Sequence, residues 1–113
     1  MSTSAAVTNA VTSESDQIIE RRFVMLANKW RQETRFDSSM QKIVSHPAYR
    51  EIVGIGPAVI PLVLRELECA PNWWFAALRE LTGENPVKAE HAGKLEAMAN
   101  DWLAWARRNR YHW

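Results

Sequence analysis

The sequence is poor in the residues that staple or punctuate a fold. It has one cysteine, Cys69, so no internal disulfide can form. Its four glycines, Gly54, Gly56, Gly83 and Gly93, fall where helices are expected to start or stop. Gly54-x-Gly56 lacks the preceding strand and third glycine of a phosphate loop, so no nucleotide-binding fingerprint is present. The three histidines, His46, His91 and His112, are far apart and offer no pair at metal-ligand spacing. No metal or cofactor is expected. The longest uncharged run, Ile52 to Leu64, is too short for a bilayer and contains Gly54, Gly56, Pro57 and Pro61, so it reads as buried core and not as a membrane span. The opening Met-Ser-Thr-Ser-Ala-Ala has neither the basic nor the apolar region of a secretory signal, and with a lone cysteine the expected location is the reducing cytoplasm.

An excess of charge of one sign is also lacking. The net charge is +1, with a basic bias in residues 16–35 and 101–113 and an acidic bias between them. That imbalance is too small for the clustered footprint of a dedicated DNA-binding domain.

What is present is helical periodicity. At 113 residues and 47% hydrophobic, the chain fits one domain with a core of its own. Residues 1–14 are expected to be a disordered leader, 15–110 a single helical domain and 111–113 a tail. Ser13-Glu14-Ser15-Asp16 has the spacing of a helix start, and Ile19, Phe23, Leu26 and Trp30 recur on one face of a helix ending near Thr34. Ser38-Ser39-Met40-Gln41 starts a second helix with Met40, Ile43 and Val44 inward. His46-Pro47 breaks it and begins a short third helix closed by Gly54. Gly56-Pro57 opens a central helix to about Glu68, apolar on nearly every side. Asn72 is expected to cap the next, which runs from Trp73 to Leu81 and stops at Gly83. After Glu84-Asn85-Pro86 a last helix carries Leu95, Met98, Trp102 and Trp105, with Ala99, Leu103 and Ala106 widening the stripe, and frays over 107–110. No segment alternates with period two. The fold class is all-α, a bundle of five to six helices.

The stretch from Gly54-Ile55-Gly56-Pro57-Ala58 through Pro61-Leu62-Val63-Leu64-Arg65-Glu66-Leu67, followed by Trp74 to Leu81 and Thr82-Gly83, resembles a single HEAT-type helical hairpin. No second copy follows at a period of about 40 residues. The chain is also similar to small uncharacterised bacterial proteins with His-Pro-Ala-Tyr, Trp-Phe-x-Ala-Leu and Thr-Gly-Glu-Asn-Pro stretches. The HEAT resemblance implies a scaffold for protein contacts, sometimes nucleic-acid contacts, rather than catalysis.

No catalytic constellation is legible. Cys69 follows Glu68 at a helix C-terminus, where the dipole disfavours a thiolate, and is expected to be a buried or half-buried inert thiol. Glu66, Glu80, Glu84 and Glu90 are expected on solvated faces, and an enzyme using Glu80, Glu84 or Glu90 with His91 is the weakest reading. The unusual feature is six tryptophans. Trp30, Trp102 and Trp105 fall on apolar stripes. Trp73 and Trp74 are about 100° apart on a helix, so the stripe takes Trp74 and leaves Trp73 as a half-exposed candidate contact. The segment holding Arg107, Arg108, Arg110, Tyr111 and Trp113 interleaves cations and aromatics, and Arg21, Arg22, Lys29 and Arg31 offer a second basic surface. These residues point to a non-catalytic module that binds a larger protein, such as an accessory subunit or antitoxin-like neutraliser. Nucleic-acid binding through the tail and the basic first helix is the alternative, and a homo-oligomer is possible.

Overall fold

A computed structural model describes residues 14–71 and 73–113. The expected cap Asn72 and all of the expected leader except Glu14 lie outside the described residues. Six α-helices and two 3₁₀ turns account for the regular structure of the described residues, with no strand among them.

Helix α1 spans Glu14–Thr34, so Glu14 is already helical. Phe23, Ala27, Trp30 and Thr34 recur at helical spacing and are buried, with Ile19 and Leu26 half-buried beside them. The bent pair dictated by Pro47 follows as α2 (Met40–Ser45) and α3 (Pro47–Ile55), hinged at His46, whose ψ of 138° leaves the helical region. Ser39 caps α2 by accepting from the Lys42 N–H. His46 caps α3: the Ala48 N–H donates to its Nδ1 at 3.0 Å. With Nδ1 accepting, the ring proton sits on Nε2, which donates to Glu33 Oε1 at 2.8 Å.

Gly54 does not close α3. It lies within the helix, and the closure falls at Gly56, where φ is 97° and the N–H bonds to the Val53 carbonyl. Only the residue that takes the positive φ needs to be glycine. A 3₁₀ turn, Pro57–Val59, then leads into α4 (Ile60–Cys69), with Pro61 in its first turn. Val59, Ile60, Val63, Leu64 and Leu67 are buried, as a central helix requires. Helix α5 (Phe75–Thr82) stops at Gly83, whose φ of 73° is the expected left-handed cap. A second 3₁₀ turn, Ala89–His91, precedes α6 (Leu95–Arg108).

Helix α1 lies chiefly across α3 and also meets α2 and the first 3₁₀ turn, while α6 packs on α4. Glu66 of α4 pairs with Arg31 of α1, and Glu68 pairs with Arg107 of α6. Residues two apart on a helix point about 200° apart, so α4 stands between α1 and α6. At the centre, the Trp74 ring lies 4.8 Å from Trp30, 5.6 Å from Phe23 and 5.7 Å from Tyr49. Each such pair contributes about 0.5–1.5 kcal/mol beyond the area it removes from water.

Three expected core positions differ. Met40 opens α2 and is exposed, because Ile43 takes the inward position. Leu95 opens α6 and is exposed, while Trp105 is half-buried on the flank of a stripe centred on Ala99, Trp102 and Ala106.

Candidate functional interface

Trp74 is fully buried and Trp73 is half-buried against the core, as the stripe requires. Their placement depends on Tyr49. Its hydroxyl donates to the Trp73 carbonyl at 2.7 Å and accepts from the Ala77 N–H at 2.9 Å. Ala77 lies in the first turn of α5, where N–H groups lack intrahelical partners. Trp74, at the cap position, makes no side-chain cap bond, so α3 supplies the acceptor. Burial pushes the Tyr49 phenol far above its usual range, keeping it neutral and able to both donate and accept.

Trp73 forms part of a groove of about 290 Å³ at the C-terminal end of α1. The other walls are Trp30, Arg31, Thr34 and Arg35, with Asp37 and Ile43 across from them. Arg31 is paired with Glu66, and its partial burial lowers its pKa. Arg35 has no ion pair among the described residues and lies 4.8 Å from the centre of the Phe36 ring. Phe36 itself is 87% exposed and lies in the chain between the groove residues Arg35 and Asp37. A large apolar side chain between Arg35 and Asp37 in an interhelical turn is a signal the sequence held and the pattern reading passed over.

The tail behaves differently from expectation. Helix α6 stays regular through Arg108 and does not fray over 107–110. Arg110 takes a φ of 64°, its N–H bonds to the Arg107 carbonyl at 3.1 Å, and the Tyr111 N–H bonds to the Ala106 carbonyl at 2.9 Å. This is the Schellman closure, with arginine where glycine is usual. The hydrophobic contact that accompanies the motif is Tyr111 stacked on Trp105 at 5.6 Å. Trp113 donates through Nε1 to Glu68 at 2.9 Å, and Arg107 lies 3.6 Å from Glu68 and 5.4 Å from the Trp113 ring centre. Tyr111 and Trp113 are thus half-buried in contacts within the chain, while Arg108 and Arg110 are exposed without a carboxylate partner among the described residues.

On α1, Arg22 is paired with Glu51 at 2.6 Å and Arg31 with Glu66, leaving Arg21 and Lys29 unpaired among the described residues. The structure therefore brings Arg31 to Trp73 and sets the tail on the other side of α4. Glu80 and Glu84 line one pocket with Arg79 and Gly83, and His91 is not among its walls. Glu80 accepts two bonds from Arg50, at 2.6 and 2.8 Å, which hold its carboxyl below the usual range. His91 Nδ1 lies 2.7 Å from Asp101, whose pKa is lowered first by the Lys88 N–H and then by His91. No local spacing pattern announces that pair. Cys69 is exposed, not buried, because it ends α4 beside the solvent-facing Glu68.

Among the described residues no helix is long and apolar enough to cross a membrane. Comparison with family models, with curated proteins and with solved structures finds no match to this chain.

Proposed function

We propose that the protein is a non-catalytic interaction module that seats a segment of a larger protein in the groove between α1, α2 and Trp73. The observation that carries this is Phe36, 87% exposed under the Arg35 guanidinium and, in the chain, between Arg35 and Asp37, two residues that line the groove with half-buried Trp73. Trp, Phe and Arg are enriched at interface centres, and an exposed aromatic at a concave site gains most from being covered. Arg35 is the groove cation with no ion pair among the described residues, suited to a carboxylate of the incoming segment. An accessory subunit or antitoxin-like neutraliser built on a HEAT-like hairpin and working in the cytoplasm fits this reading.

The test is co-purification of the tagged full chain from its own cells, with Phe36→Ala and Arg35→Glu as controls. A stoichiometric partner lost in both variants supports the proposal. Equal recovery with wild type and both variants, or no partner at all, overturns it.

Nucleic-acid binding is the second reading, carried by exposed Arg108 and Arg110. It expects an affinity for oligonucleotides that falls steeply with salt and drops when both arginines become alanine. Arg22, Arg31 and Arg107 weigh against it, since each is neutralised by a carboxylate of the same chain.

A further inference from the structure

The outward face of α1 has an order that neither the core nor the Trp73 groove explains. Glu14, Ile18, Met25 and Lys29 are all exposed and fall within a sector of about 60° on the helix. Ile18 is 59% exposed and Met25 71%, both well above what a buried stripe allows. Neither Glu14 nor Lys29 has an ion-pair partner among the described residues. The groove residue Arg31 points about 130° away from the middle of this sector, so the two surfaces are distinct.

The order along the sector is acid, apolar, apolar, base, with intervals of four, seven and four residues. That pattern is its own complement when reversed. A second copy of α1 laid antiparallel, with the twofold axis between residues 21 and 22, sets Ile18 opposite Met25 of the other copy, twice. The same register sets Glu14 opposite Lys29, also twice. An isologous contact requires this self-complementarity, whereas the parallel arrangement opposes like charges at both ends. We infer that the outward face of α1 is a homodimer interface, in which α1 pairs antiparallel with α1 of a second copy. The same register brings Arg21 and Arg22 of the two copies beside the twofold axis, each about 50° from the middle of the sector; Glu51 neutralises Arg22, and the charge of Arg21 weakens the contact. The apolar part is small, so the dimer forms reversibly, with a dissociation constant of roughly micromolar or weaker.

Sedimentation equilibrium of the full chain over a concentration series tests this. The expected result is a monomer–dimer equilibrium that Met25→Glu abolishes and that Glu14→Lys or Lys29→Glu each weakens by roughly tenfold. The two charge variants mixed in equal amounts restore every Glu–Lys pair in a heterodimer, and the double variant Glu14→Lys/Lys29→Glu restores the homodimer. Restoration also separates a lost contact from a frayed helix end. A wild type that stays monomeric at about 1 mM overturns the inference. So does a dimer indifferent to Met25→Glu, or a mixture of the charge variants that stays monomeric. None of these outcomes bears on the Trp73 groove, whose own variants leave this face intact.

Discussion

The molecule contains two aromatic groups built on different principles. Phe23, Trp30, Tyr49 and Trp74 come from α1, α3 and the turn before α5, and all four are buried. Trp102, Trp105, Tyr111 and Trp113 come from one helix and the residues that close it, and grade from fully buried Trp102 to half-buried Trp113. The first group joins residues up to 51 positions apart, so losing a ring there separates elements. In the second, Trp102 meets Trp105 at 5.4 Å and Trp105 meets Tyr111 at 5.6 Å, contacts that helix geometry and a Schellman closure make locally. Abundant tryptophan is therefore no single signal in this chain. It is a core in one place and a covered flank in the other.

Substitutions sharpen the contrast. Trp74→Ala is expected to cost about 3–5 kcal/mol, read as a shift in the urea midpoint, because it empties the centre of the first group. Tyr49→Phe removes the acceptor at Ala77 and the donor to the Trp73 carbonyl, for a loss of about 1–3 kcal/mol. It also frees the Trp73 backbone, so partner binding falls with stability in this variant. In the second group Trp113→Ala is expected to cost no more than about 1 kcal/mol, since its ring is half-exposed and its bond to Glu68 is at the surface. A cost as large as that of Trp74→Ala would erase the distinction drawn here.

Smaller effects test the closure of α6. Arg110→Gly relieves a left-handed arginine and is expected to stabilise by about 0.5–1 kcal/mol, raising the melting temperature by a few degrees. The smallest is the pH response of Asp101, which ties the Lys88–His91 segment to the residue before Trp102. Its folded pKa is depressed below the ordinary aspartate range, so its contribution is present above that range and lost as pH falls through the lower, folded value. Asp101→Asn removes this dependence, and acid titration of wild type and variant by circular dichroism gives the comparison.

Much of the fold was legible in local chemistry. Pro47 dictated the break between α2 and α3, Ser39 the cap, Gly83 the stop, and the stripe chose Trp74 over Trp73. Errors came where one residue type has two uses. Gly54 reads as the stop and Gly56 as the start of the next helix, and only the backbone angle shows that Gly56 makes the closure. Arg107 to Trp113 read as an open basic-aromatic segment because nothing local shows that Glu68, 39 residues before Arg107, receives both ends. The Trp73 groove was half legible: the tryptophan was found from its neighbour, while its meeting with Arg31 and Arg35 depends on how α1 crosses α3.

By itself the sequence determined the helices and most of their inward faces, because capping, proline geometry and apolar period act within a few residues. The acid-apolar-apolar-base order on α1 is also written there in full. Tertiary structure alone decided which arginines remain available and which aromatics remain uncovered. Ion pairs such as Arg31–Glu66 and Arg22–Glu51, and the buried bonds of Tyr49, join positions 24 to 35 residues apart. Their partners are chosen by packing, which no local pattern encodes.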